Sequence, residues 1–158
     1  MGVEIERKFL VTGDGWKAEA DGGTAVRQGY LTSEKRLSVR IRVKGDKGYV
    51  TIKGEGKGLA RPEFEYEIPK DDAETLLMSL CLPEQIAKTR YLVRHGRHTW
   101  EVDVFEGANA PLVLAELELQ DADEAFDRPS WIGQDVSDDP RYLNARLAAN
   151  PFGRWVKS

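Results

Sequence analysis

The residues best suited to chemistry stand at the start of the chain. In Val3-Glu4-Ile5-Glu6-Arg7-Lys8-Phe9 the acids Glu4 and Glu6 and the base Lys8 are two apart. At that spacing the side chains of an extended strand share one face, about 6.6 Å from one to the next. The apolar Val3, Ile5 and Phe9 then point the other way. The split recurs: Arg40, Arg42 and Lys44 alternate with Val39, Ile41 and Val43, and Glu63, Glu65 and Glu67 with Phe64, Tyr66 and Ile68. Glu101 and Asp103 alternate with Trp100, Val102 and Val104, and Glu116 and Glu118 with Leu117 and Leu119. Lys88, Arg90 and Arg94 oppose Tyr91 and Val93, and Lys53 follows Thr51-Ile52. Clustered carboxylates hold Mg2+ or Mn2+ through oxygen, whereas ammonium and guanidinium groups neutralise phosphate oxygens, arginine in bidentate fashion. A site rich in both signs suits a metal together with a polyanion.

Placing these groups requires strands. Period-two patterning marks about eight, near residues 3–11, 25–32, 36–44, 48–53, 62–68, 88–94, 99–105 and 112–120. Short turns at Gly45-Asp46-Lys47-Gly48, Gly54-Glu55-Gly56-Lys57-Gly58 and His95-Gly96-Arg97-His98 make their neighbours antiparallel. One amphipathic helix begins at Asp71-Asp72, carries Ala73, Leu76, Leu77 and Leu80 on one stripe, and stops at Pro83. A second begins near Asp138-Asp139, with Pro140 in its first turn, and runs to about Ala149. A shorter helix near 13–20 is weakened by the glycines around it. The fold class is therefore α+β, mainly antiparallel β.

For any single strand, an ordinary amphipathic sheet with its charged face in water is the plainer account. Sorting by sign argues against it for the set: one strand offers only bases and three offer only acids, whereas water-facing sheets intersperse the two. An eight-stranded closed barrel would put the charges in the lumen and turn the apolar face outward, under the two helices and under aromatics such as Trp100 and Trp131. Trp155 could help close one mouth. At 158 residues, 41% hydrophobic and 32% charged, the chain suits a single folded domain spanning 1–158. A net charge of −4 argues against a broad nucleic-acid surface, though not against a local basic cavity. Cys81 stands alone and no apolar run approaches a membrane span, so a cytoplasmic address with no membrane partner is expected. His95 and His98 flank a turn without further ligands, and the glycines of 54–58 lack the order of a phosphate-binding loop.

Taken together, the strand motifs resemble the CYTH, or triphosphate tunnel metalloenzyme, superfamily. Glu4-Ile5-Glu6-Arg7-Lys8 matches its ExExK pattern. Val39-Arg40-Ile41-Arg42, Thr51-Ile52-Lys53, Glu63-Phe64-Glu65-Tyr66-Glu67, Lys88-Thr89-Arg90, Glu101-Val102-Asp103 and Glu116-Leu117-Glu118 follow in family order. Asp138-Asp139-Pro140-Arg141-Tyr142-Leu143-Asn144 is similar to the ending of short bacterial members. The resemblance implies an eight-stranded tunnel that cleaves the terminal phosphate of a triphosphate with Mg2+ or Mn2+. It assigns Glu4, Glu6, Asp103, Glu116 and Glu118 to metal and Lys8, Arg40, Arg42, Lys53, Lys88 and Arg90 to phosphate. Glu63, Glu65, Tyr30 and Tyr142 are secondary candidates. Lys8 is expected to clamp phosphate, with a role as base for the attacking water if Arg40 and Arg42 lower its pKa.

The expected partner is a small-molecule triphosphate. Inorganic tripolyphosphate comes first, because it needs only a charged lumen. Nucleoside or thiamine triphosphate hydrolysis and adenylate cyclase chemistry are alternatives on the same sites. A non-catalytic polyphosphate- or nucleotide-binding module is the non-enzymatic alternative, disfavoured by the intact carboxylates. Outer apolar residues could serve a homodimer as readily as a helix contact.

Overall fold

The computed structural model describes residues 3–34, 36–56 and 60–155, apart from the side chain of Glu4. Alternation of charged and apolar residues gives β1 (Val3–Val11), β2 (Thr24–Ser33), β3 (Leu37–Lys44), β4 (Lys47–Gly54) and β5 (Ala60–Ile68). β6 (Ile86–His95), β7 (His98–Phe105), β8 (Val113–Glu118) and β9 (Ile132–Asp135) follow. The order β5-β4-β3-β2-β6-β7-β8-β1 closes into a ring through a β1–β5 pairing, and β9 flanks β1. Every pairing is antiparallel. The eight expected strands are all present within a few residues of their expected ends. Gly45 and Gly96, with φ of 60° and 63°, make the tight β3–β4 and β6–β7 hairpins possible. Lys57 and Gly58 of the looser turn lie outside the described residues.

β9 was not expected. Ile132-Gly133-Gln134-Asp135 has no two-residue alternation and is a strand because β1 has a spare edge beyond β5. Gly133 permits the approach, since a Cβ there would stand 3.1 Å from the Leu10 carbonyl oxygen.

Three apolar clusters hold the barrel. On the outside of β3, Ile41 and Val43 pack against Ala73 and Leu77 of α1 (Lys70–Ser79). On the outside of β1, β6, β7 and β8, Phe9, Val93, Trp100, Val102 and Leu117 are covered by Trp16 and Trp131. The cover here is a 3-10 turn at Gly15–Glu19 and an aromatic loop, with Trp100 edge-on to Trp131 at 5.8 Å between ring centres. Fully burying a ring such as Phe9 stabilises by about 2–3 kcal/mol.

The third cluster corrects the expected place of the second helix. Leu10, Ile86, Phe105 and Leu114 stand two residues beyond the lumen-facing Lys8, Lys88, Asp103 and Glu116, so they share that face. They pack with Tyr142, Leu147 and Ala148. The C-terminal segment therefore lies across an apolar end of the lumen and not on the outer wall. It is also broken, with a 3-10 turn at Pro140–Tyr142 capped by Asp139, an extended Leu143, and then α2 (Asn144–Ala149). Among the described residues no helix is long and apolar enough to cross a membrane.

Candidate active site

Directly opposed residues of an antiparallel pair project to the same side. The pairs Lys8–Glu116, Glu6–Glu118, Glu101–Glu116, Arg90–Asp103, Lys53–Glu63 and Thr51–Glu65 thus place the sequence-predicted charges in one lumen. They surround a cavity of about 1180 Å³. Its walls include Glu6, Lys8, Arg40, Arg42, Lys53 and Glu118.

The half formed by β1, β6, β7 and β8 is a continuous ion-pair network. Arg90 donates from Nε to Asp103 Oδ1 at 2.7 Å and from Nη2 to Asp103 Oδ2 at 2.9 Å and Glu116 Oε1 at 2.8 Å. Its Nη1 donates to Glu101 Oε2 at 3.1 Å. Lys88 Nζ donates to Asp103 Oδ2 at 2.7 Å and to Asn144 Oδ1 at 3.0 Å. Lys8 Nζ reaches Glu116 Oε2 at 3.2 Å and the Tyr142 carbonyl oxygen at 3.1 Å. Burial opposes ionisation of Glu116, yet Lys8 and then Arg90 outweigh it and hold the carboxyl well below its ordinary value. Asp103 is likewise lowered, because Lys88 and Arg90 overcome its burial.

Lys8 is not a lowered amine. Burial pulls its pKa down, but Glu116 and Glu6 pull harder and the net direction is upward. The lowering by Arg40 and Arg42 on which a role as base depended is therefore not found. Lys88 is the lysine that burial and then Arg90 depress, to about 8 against the pull of Asp103.

The half formed by β2 to β5 is cationic and thinly compensated. Arg42 Nη2 donates to Glu65 Oε1 at 3.1 Å, and Arg40 Nη2 lies 3.7 Å from the same oxygen while donating to Thr51 Oγ1 at 3.2 Å. The Thr51 hydroxyl donates to Glu65 at 2.8 Å. Lys53 stands 4.0 Å from Glu63. Burial, then the charges of Arg40 and Arg90, push Arg42 down to about 10. These arginines share one carboxylate, which they and Thr51 hold below its usual range despite its partial burial.

Some expected site residues fall elsewhere. Asp103 is 1% exposed behind Lys88 and Arg90 and does not line the cavity, so it acts here as a counter-ion. Tyr30 lines the cavity; the Tyr142 ring instead joins the apolar end and stacks edge-on with Trp155, 5.1 Å away. Trp155 packs there also, at that end of the lumen. The side chain of Glu4 lies outside the described residues; its backbone pairs with Arg61. Glu101 and Asn144 join the site beyond the residues that the resemblance assigns. Glu101 had a signal in its alternation with Trp100 and Val102, whereas Asn144 had none beyond its place in the C-terminal segment, since only the tertiary fold brings it to Lys88.

Oxygen donors for a divalent ion are present. Glu6 and Glu118 oppose each other across β1 and β8 on the cavity wall, a like-charge pair that a cation would relieve. Among the described residues no three His, Cys, Asp or Glu form a cation cage.

Residues 2–145 match the CYTH domain. The chain is 50% identical over 152 residues to a protein of Acetivibrio thermocellus named inorganic triphosphatase, covering 96% of this chain and 97% of that one. It is 39% identical over 153 residues to an inorganic triphosphatase of Nitrosomonas europaea, covering 92% and 97%. The crystal structure of the inorganic triphosphatase NE1496 superposes with a TM-score of 0.64 at 36% identity, over 94% of this chain and 95% of that one.

Proposed function

The chain belongs to the CYTH family, and from that premise we propose that it is a divalent-metal-dependent hydrolase acting on inorganic tripolyphosphate. The observation that carries this reading is a lumen cavity of about 1180 Å³ with Arg40, Arg42 and Lys53 on one wall and Glu6 and Glu118 on another. Such a cavity answers a short, highly charged anion and its counter-cation together. The names of the relatives support the same substrate.

In this reading Arg40, Arg42, Lys53 and Lys8 bind and orient the phosphates, and Lys8, kept charged by Glu116, neutralises charge that grows on the departing phosphate. Glu6 and Glu118, with Glu4, would hold Mg2+ or Mn2+, and Glu63 lies across the cavity beside Lys53. When bound, such an ion neutralises phosphate oxygens and polarises the scissile anhydride. Lys88, Arg90, Asp103 and Glu116 fix the floor against which the anion rests. We read residues 1–158 as one catalytic unit. Its unpaired Cys81 supports a cytoplasmic compartment.

Phosphate release from tripolyphosphate, ATP and thiamine triphosphate, each with Mg2+, Mn2+ or chelator, tests this. Metal-dependent release favouring tripolyphosphate, and reduced at least about 100-fold in Lys8→Ala and Glu6→Gln, is expected. Preference for an organic triphosphate would overturn the substrate, and binding without release from any of them would overturn the hydrolase.

A further inference from the structure

Gln28 lies on the lumen-facing side of β2, between Val26 and Tyr30, directly across from Arg42 on β3 and Ile86 on β6. It is 0% exposed, and neither Oε1 nor Nε2 meets a hydrogen-bond partner among the described residues. The buried Nε atoms of Arg40 and Arg42 are equally without partners. Three unmatched donors and one unmatched acceptor are thus gathered on one stretch of the β2–β3 wall. Enclosed amides without partners are destabilising, and an apolar side chain of similar volume would avoid the penalty. A position that weakens the empty barrel is expected to serve the filled one.

Geometry suggests how. Directly opposed residues of an antiparallel pair have Cβ atoms about 4.5–5.5 Å apart, which puts the Arg42 guanidinium within reach of the Gln28 amide. Arg42 is turned to Glu65 through Nη2. An anion in the lumen competes with Glu65 for those terminal nitrogens, and the guanidinium then needs an acceptor for Nε–H to hold its plane. Gln28 Oε1, opposite Arg42, is an unpartnered acceptor on that wall.

We propose that Gln28 is a positioning residue for the substrate, holding Arg42 in the plane required for bidentate contact with phosphate. This rests on the triphosphatase reading. The experiment uses the full chain in chelator, so that nothing turns over, and measures apo Tm and the Kd of inorganic tripolyphosphate by calorimetry. It compares wild type with Gln28→Met, Gln28→Leu, Arg42→Ala and the Gln28→Met/Arg42→Ala double variant. The expected result is an apo Tm for Gln28→Met equal to wild type or about 2–4 °C higher, with Kd weakened about tenfold. In the Arg42→Ala background Gln28→Met should add nothing, because the amide acts through the guanidinium. Should Gln28→Met fail to fold, Gln28→Leu carries the same expectation of Kd. Unchanged Kd in the folded variants, or an equal loss with and without Arg42, would overturn the inference while leaving the triphosphatase reading intact. Failure of wild type to bind tripolyphosphate in chelator would overturn the inference, and only failure to bind or hydrolyse it with Mg2+ as well would overturn the triphosphatase reading.

Discussion

The two halves of the lumen are both lined by charge and use it differently. Around β1, β6, β7 and β8 every buried cation has a buried anion: Lys88 and Arg90 on Asp103, Arg90 and Lys8 on Glu116. Around β2 to β5, Arg40 and Arg42 crowd a single carboxylate, Glu65, whose side chain is 38% exposed, and Gln28 is left unmatched. Removing one partner from a desolvated pair strands the other, whereas an under-compensated cation already bears its penalty and is relieved by an anion from solution. In the proposed function one half is therefore scaffold and the other receives the anion.

The largest expected effect falls on the paired half. Asp103→Asn leaves Lys88 and Arg90 without their shared counter-ion, a loss of about 3–5 kcal/mol, and thermal denaturation should show Tm lower by about 10 °C or more. Wild-type Tm in this variant would erase the distinction between the halves. Glu65→Gln should cost under about 1 kcal/mol, since that carboxylate is partly solvated. Next in size, Arg42→Ala should lower kcat/KM about 100-fold or more while leaving Tm within a few degrees of wild type, because it also removes repulsion from Arg40 and Arg90. Loading follows: tripolyphosphate at 100 times its Kd, in chelator, should stabilise by about 2.7 kcal/mol. A calorimetric scan showing no shift would mean that the receiving half receives nothing.

Smallest, and spread over pH, is the acid limb. Asp103 and Glu116 have folded-state pKa values below those of the unfolded chain. The folded state thus binds fewer protons in acid, and the resulting stability is complete above about pH 4–5 and fades as pH falls through the depressed values. Tm recorded from pH 7 to pH 2 should therefore decline below about pH 4, and Glu116→Gln should flatten that decline. A wild-type curve level down to pH 2 would contradict it.

Much of this was legible in the chain because a strand has only two faces. Once Arg40 and Glu116 were placed on a charged side, their inward direction followed from closure of the ring, and so did the outward direction of Ile41 and Leu117. Alternation says nothing about depth along the barrel axis, however. Asp103 and Glu101 share a face, yet Asp103 is sealed behind Lys88 and Arg90 while Glu101 meets the cavity. Nor does alternation see across chain ends: the Tyr142 ring and Asn144 owe their places to Leu143, whose extended backbone breaks what periodicity presents as one helix. β9 escaped for a related reason, since its pairing depends on a vacant edge of β1 and on Gly133, which alternation does not mark.

The ring also has a clasp. Among the described residues β1 meets β5 only from Val3 to Ile5, against Ala60 to Pro62, and Pro62 has no amide to lend. The next residue of β1, Glu6, belongs to the cavity wall and pairs with β8 instead. A cation shared by Glu6 and an anion, as in the proposed function, would also tighten this short join, so that loading and fastening would become one event. In the time domain, amides of β5 near Ala60 should trade their protons for deuterons soonest in the empty protein and fall quiet when the lumen is filled.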